Sequence, residues 1–206
     1  MLDNGLLPWP PRPIALTGDL VRLEPMTPEH GPGLAAAIRD GDLDKLWYTI
    51  VPAPEGIEAW IIAALAQQAA RGALPFVVRR LRDDLIVGST RFMNIEASQR
   101  RLEIGTTFYS SSVHKTALNT ECKRLLLAHA FESLGCLAVE FRTHWFNQRS
   151  REAIAKLGAK QDGVLRNHQR LADGSLRDTV VFSIIDTEWP AVRRHLTVRQ
   201  ARLPKP

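Results

Sequence analysis

A single mixed α/β domain is the fold class that the 206-residue sequence predicts. Three observations carry the prediction. Helix-like and strand-like stretches alternate along the chain, in the order β-α-α-β-β-β-α-β-α-β-β. One broad apolar stripe at helical spacing runs through 118–134, the mark of a helix lying against a sheet. Near the end, Asp173-Gly174 separates two strand-like runs, a dipeptide suited to the left-handed turn of an antiparallel hairpin.

Residues 1–16 read as an extended arm, because prolines at 8, 10, 11 and 13 forbid regular hydrogen bonding. Asp19–Pro25 alternates like a first strand. Thr27-Pro28-Glu29 starts a helix that carries on to about Asp40. A loop rich in Gly, Asp and Pro follows, containing Trp47 and Tyr48, and a second helix runs from about Glu55 to Arg71, stopping at Gly72. Leu74–Arg80, Leu85–Phe92 and Arg101–Tyr109 are strand-like, with connections short enough for an antiparallel meander. Leu118, Cys122, Leu125, Leu126 and Ala130, widened by Leu127 and Phe131, give the next helix its apolar face. Leu137–Thr143 is a strand and Asn147–Leu157 a helix closed by Gly158. Ala159–His168 and Leu176–Ile185 form the final hairpin. Thr187 is placed to cap a last helix through Trp189 and Val192, and 197–206 reads as a basic, mobile tail.

Composition narrows the function classes. With 45% hydrophobic and 24% charged residues, the chain can bury a real core. A net charge of +5 suits an anionic ligand such as a phosphate-bearing cofactor. Nucleic-acid binding would need a basic cluster interleaved with aromatics, and none is found. The longest apolar stretch, Ala59–Ala66, is too short to span a bilayer, so no membrane partner is expected. Cys122 and Cys136, outside any CxxC pair, read as reduced core thiols of a cytoplasmic protein. No metal-ligand spacing, Ser–His–Asp set, Walker loop or GxGxxG appears.

Three segments could carry chemistry. In RRLEIGTTFY, alternation puts Leu102, Ile104, Thr106 and Phe108 on one face and Glu103, Gly105, Thr107 and Tyr109 on the other. Glu103 is then either an exposed acid paired with Arg101 or Arg142, the commoner outcome, or a general base for an attacking amine. The loop His114-Lys115-Thr116-Ala117 precedes a helix whose free N–H groups and positive dipole end favour an anion. Asn119 or Thr120 as a plain helix cap is the competing reading. In HWFNQRSREAIAKLG, Asn147 and Ser150 either cap a helix or serve a cofactor arm and a leaving thiolate, beside His144 and Trp145.

Taken together, LEIGTTFY, TALNTECKRLLLAHAFESLG, VEFRTHWFNQRSREAIAKLGAKQDGVLRNH, DGSLRDTVVFSI and EWP resemble the GNAT acyltransferases, in particular the RimJ/RimL-like ribosomal-protein N-acetyltransferases. The resemblance runs from about Leu16 to Leu196. It implies one GNAT-type domain over 17–196, with a central mixed, mostly antiparallel twisted sheet flanked by helices. Acetyl-CoA, or another short acyl-CoA, would lie in a V-shaped opening between the strands at 101–109 and 137–144. Ile104, Gly105, Thr106, Thr107 and Phe108 would pair with its pantetheine arm. His114, Lys115, Thr116, Ala117, Leu118 and Asn119 would meet the pyrophosphate. Family members usually carry Gln/Arg-x-x-Gly-x-Gly/Ala in this loop, and here it holds no glycine. Asn147 matches the asparagine that contacts the arm, Ser150 the serine used as general acid in this branch, and Glu103 the strand acid proposed as base. Ile154 stands where many members carry a tyrosine. The acceptor, a protein N-terminus or a small primary amine, would enter over Trp47 and Tyr48, near Glu103, His144, Arg166, Asn167 and His168. Members of the family often form homodimers. An acyl-CoA-binding domain with little catalysis, acting as sensor or assembly partner, is the alternative that the sequence leaves open.

Overall fold

The computed structural model describes residues 6–171 and 173–206. The first five residues of the expected arm lie outside the described residues. Eight strands form one sheet: β1 Leu16–Thr17, β2 Val21–Pro25, β3 Ala73–Arg80, β4 Leu85–Glu96, β5 Arg101–Tyr109, β6 Ala138–His144, β7 Lys160–Arg170 and β8 Leu176–Ile185. Their order across the sheet is β1-β2-β3-β4-β5-β6-β8-β7. All neighbours are antiparallel except β5 and β6. The expected meander and final hairpin are both present, the latter closed by Gly174 at φ +86°.

Five α-helices cover the sheet: α1 Gly31–Arg39, α2 Ile57–Ala69, α3 Leu118–Ala128, α4 Gln148–Ala155 and α5 Trp189–Arg202. Leu34, Ile38, Ile57 and Ile61 from α1 and α2 close one core against Val77 and Phe108. Leu118, Leu126, Ile154, Val192 and Leu196 from α3, α4 and α5 close the larger core against Phe76, Phe92, Ile104 and Val139. The helix expected to run to Leu134 changes after Ala128 into a π turn over 129–133, where the Leu134 N–H reaches back to the His129 carbonyl.

Three expectations need correction. α5 does not stop near Thr197 but continues to Arg202. Gln200 fastens it to α3, accepting from Arg124 Nε at 3.0 Å and donating to Glu121 Oε1 at 2.8 Å, so order persists where composition alone suggested a mobile tail. Thr187 is not the cap of this helix: Glu188 Oε2 accepts from the Ile185 N–H, and Asp186 Oδ1 from the Thr187 N–H. The strict alternation along β5 also fails. Thr106 and Thr107 together face Thr90, a β-bulge with Thr106 at φ +46°. The extra residue shifts the side-chain phase. Leu102 and Ile104 therefore face the α3 side, while Phe108 joins the α1–α2 core.

Candidate active site

β5 and β6 pair over only three residues, Arg101↔Ala138, Leu102↔Val139 and Glu103↔Glu140. Beyond Glu103 their ladder ends and the strands part. The edge of β5 from Ile104 to Phe108 then has no strand partner on that side, and the bulge falls within it. Lys123 braces the bulge from beneath. Its Nζ donates to Thr107 Oγ1 at 2.8 Å and Thr90 Oγ1 at 3.2 Å. With the ammonium donating to both, the two hydroxyls also share a hydrogen bond of 2.7 Å, and Thr107 Oγ1 donates to the Gly105 carbonyl at 3.4 Å.

Glu103 stands at the fork and is not the exposed acid that alternation favoured; only 5% of it is exposed. Arg101 pairs with Glu140 instead, leaving Asn94 Nδ2 to donate to Glu103 Oε2 at 2.7 Å and Arg142 Nε 3.5 Å away. Burial raises the Glu103 pKa, against the lowering effect of Asn94 and Arg142, and Glu140 raises it further. A carboxyl group with a raised pKa, standing where two strands part, is suited to take a proton. A β-carbon added to Gly105 would lie 2.6 Å from Met93 Sδ and 2.9 Å from Glu103 Oε1, so the glycine makes the room in which this carboxylate sits.

The loop before α3 uses several of its polar groups internally. His114 Nε2 donates to the Tyr109 carbonyl at 2.8 Å, and burial together with Arg149 lowers its pKa. Thr116 Oγ1 donates to the Val113 carbonyl at 2.7 Å and accepts from the Leu118 N–H at 3.3 Å. The Ala117 N–H goes to the Pro204 carbonyl at 2.8 Å, which brings the chain's end across the helix start. Neither Asn119 nor Thr120 is the cap; that position is Ala117, without a side-chain bond. Lys115, at φ +61°, is exposed. A glycine-free loop thus still enters the left-handed region, at the residue that carries the charge.

At the start of α4, Asn147 Oδ1 caps the helix by accepting from the Ser150 N–H at 3.0 Å. Ser150 is half-buried. Trp47, Tyr48 and His144 come together, and Phe146 joins them. Trp47 lies with its ring centroid 5.6 Å from Tyr48, 5.2 Å from His144 and 5.7 Å from Phe146. The Phe146 N–H donates to His144 Nδ1 at 3.1 Å, while His144 Nε2 is buried without a partner. Burial and then Arg177 lower the His144 pKa, which favours the neutral ring with its proton on Nε2. His168 Nδ1 lies 3.1 Å from Thr179 Oγ1, and Thr179 is the register partner of His144. Arg166 and the Asn167 N–H are held by Asp178 of the neighbouring strand β8, whose charge acts in turn on His144.

Sequence reasoning passed over Glu121, Lys123 and Arg91. Glu121 is fully buried and accepts from the N–H groups of Asp19, Leu20 and Val21. A β-carbon on Gly18 would sit 2.6 Å from its carboxyl carbon. Lys123 lies off the apolar stripe used to define the helix, and Arg91 interrupts a strand. The available signal was weak: charges standing within otherwise apolar, regular elements. Both cysteines are free and buried, with thiol pKa values pushed up to about 12 by burial. Among the described residues, no group of His, Cys, Asp and Glu could hold a metal, and no helix is long and apolar enough to cross a membrane.

Residues 21–160 match the model of the acetyltransferase (GNAT) domain. A proposed acetyltransferase from T. thermophilus is 32% identical over 92% of this chain and 98% of its own, with a TM-score of 0.79. A GCN5-related N-acetyltransferase from Brucella melitensis is 27% identical over 93% of this chain and 87% of its own, at a TM-score of 0.83. Mycobacterium smegmatis RimJ, solved in complex with CoA-disulfide, shares the fold at 21% identity, covering 95% of this chain and 97% of its own with a TM-score of 0.75. A search of curated proteins finds no match.

Proposed function

Because this chain belongs to the GNAT acetyltransferase family, we propose that it transfers an acetyl group from acetyl-CoA, or the acyl group of another short acyl-CoA, directly to a primary amine. The amine is a protein N-terminus or a small molecule, and the RimJ/RimL-like branch is the part of the family to which the quoted motifs assign the chain. The observation that carries this reading is the fork: β5 and β6 separate immediately after a buried, hydrogen-bonded Glu103.

The residues present fit an acyl-CoA. The unpaired edge of Ile104–Phe108 can accept an amide-bearing pantetheine arm as an added strand. The start of α3 offers its remaining N–H groups, the Asn119 side chain and the Lys115 charge to a diphosphate. Asn147 keeps its amide N–H₂ free for the arm, because only its oxygen is used as a cap. When bound, the acyl-CoA supplies a thioester carbon to be attacked. Glu103, its pKa raised by burial, takes a proton in its ionised form from the ammonium or the attacking amine, directly or through water. A backbone N–H of the bulged strand would stabilise the oxyanion, and Ser150 would relay a proton from water to the departing thiolate. The rest of the acceleration comes from holding the amine in place, with Trp47, Tyr48 and His144 over its entrance.

Thiol release from acetyl-CoA in the presence of a panel of amines tests the reading. Glu103→Gln should lower turnover by about a hundredfold or more, the scale of general-base catalysis, with acetyl-CoA affinity unchanged. The wild-type rate should fall as pH drops through a pKa above the ordinary carboxylate value, because the base must be ionised to work. A variant as active as wild type across pH would remove Glu103 from the chemistry.

A further inference from the structure

Arg91 lies on β4 opposite Gly105, level with the bulge and on the same sheet face as Glu103. Register makes the two residues diagonal neighbours, about 7–8 Å apart at the backbone. The Arg91 side chain is 5% exposed. Its Nη1 donates to Gln67 Oε1 at 3.1 Å, its guanidinium carbon lies 4.8 Å from the Trp60 ring centroid, and its Nε is buried without an acceptor. No carboxylate among the described residues pairs with it. Burial lowers its pKa to about 10, with no charged neighbour offsetting the effect. By contrast Arg80, equally enclosed, is held by Asp83 through two bonds. A buried cation without a counter-ion is expensive, and a guanidinium fork matches a carboxylate in shape as well as charge. The other charges on this face do not fill the gap. Glu103 and Glu140 already engage Asn94, Arg101 and Arg142, while Arg177 adds a second cation beside Thr179.

We propose that Arg91 anchors a carboxylate of the acceptor, so that the enzyme acts on primary amines bearing a carboxylate a few bonds from the nitrogen. The inference rests on the acetyltransferase reading and narrows its acceptor class. With the amine at Glu103 and the carboxylate at Arg91, the acceptor spans adjacent strands β5 and β4 beside the bulge. Trp60 and Gln67 on α2 hold the guanidinium in position, which makes Arg91 a specificity determinant. It takes no part in the proton transfers.

Product-side probes test this before the acceptor itself is identified. Calorimetry compares N-acetylglycine with N-acetylglycinamide, standing for a free amino acid. It also compares N-acetylaspartyl amide with N-acetylasparaginyl amide, standing for an acidic N-terminus. Each pair differs only by the carboxylate, and whichever pair responds identifies the source. In at least one pair the carboxylate member should bind tenfold or more tightly. Arg91→Gln should abolish that ratio while CoA affinity is unchanged, and Arg91→Lys should retain part of it. Equal binding within both pairs, including no detectable binding of any probe, would overturn the proposal. So would a ratio that survives in Arg91→Gln. If that variant does not fold, the wild-type ratio and Arg91→Lys decide. Titrations run with and without CoA separate the two levels: failure to bind CoA sinks the acetyltransferase reading, while the probe ratio still judges Arg91.

Discussion

Replacing Lys123 by methionine should make the protein more stable at neutral pH and less stable than wild type near pH 10. The ammonium is buried with two threonine hydroxyls and no carboxylate, and burial lowers its pKa from 10.5 to about 8. Such a drop corresponds to roughly 3 kcal/mol of unfavourable burial while both folded and unfolded chains carry the proton. Methionine matches the shape and removes the charge, at the loss of two hydrogen bonds of about 1 kcal/mol each. Thr90 and Thr107 keep their bond to each other. The net gain at pH 7 is then about 1 kcal/mol. Between pH 8 and 10.5 the folded wild type loses its proton while the unfolded chain retains it. The unfolded state binds more protons there, so wild-type stability rises with pH, by roughly 2–3 kcal/mol at pH 10 relative to the variant. Urea denaturation of both proteins at pH 7 and pH 10 reads the difference directly, provided the denaturant slopes agree. A stability difference that does not change with pH would refute the reasoning, because Lys123 would then titrate alike in the folded and unfolded chains.

Two further outcomes follow from buried and exposed charge in the same region. Glu121→Ala strands three backbone N–H groups and the Gln200 amide, so it should cost about 3–5 kcal/mol in chemical denaturation; a loss below about 1 kcal/mol would contradict its role in tying β1, β2 and α5 to α3. Lys115→Ala should weaken CoA by about two- to fivefold, the scale of an exposed charge contact, and leave dephosphorylated pantetheine nearly unaffected. Equal losses for the two ligands would mean that the loop does not meet phosphate.

Element order was legible because periodicity survives wherever one face of a helix or strand is buried. The stripe from Leu118 to Ala130 and the Asp173-Gly174 turn each name their own structure. What periodicity cannot show is an inserted residue. The bulge at Thr106 leaves no mark in LEIGTTFY, yet it sends Phe108 to the opposite core and falls within the unpaired edge at the fork. Buried charges are hidden for a related reason. A hydropathy pattern assigns Lys123 and Arg91 to solvent, and only the approach of distant elements encloses them. The same holds for the meeting of Trp47 with His144, far apart in the chain, and for Gln200, whose partners on α3 convert a basic tail into the last turns of a helix. Glu103 was identified as a candidate base, but its burial and its Asn94 partner became visible only with the fold.

On the proposed reading, the fork between β5 and β6, with the start of α3 beside it, holds an acyl-CoA. Calorimetric titration of the purified protein with acetyl-CoA, with CoA and desulfo-CoA alongside, tests it most directly. Acetyl-CoA should bind with micromolar affinity at one site per chain. No binding at millimolar ligand would contradict it, and the acyltransferase reading would fall with it.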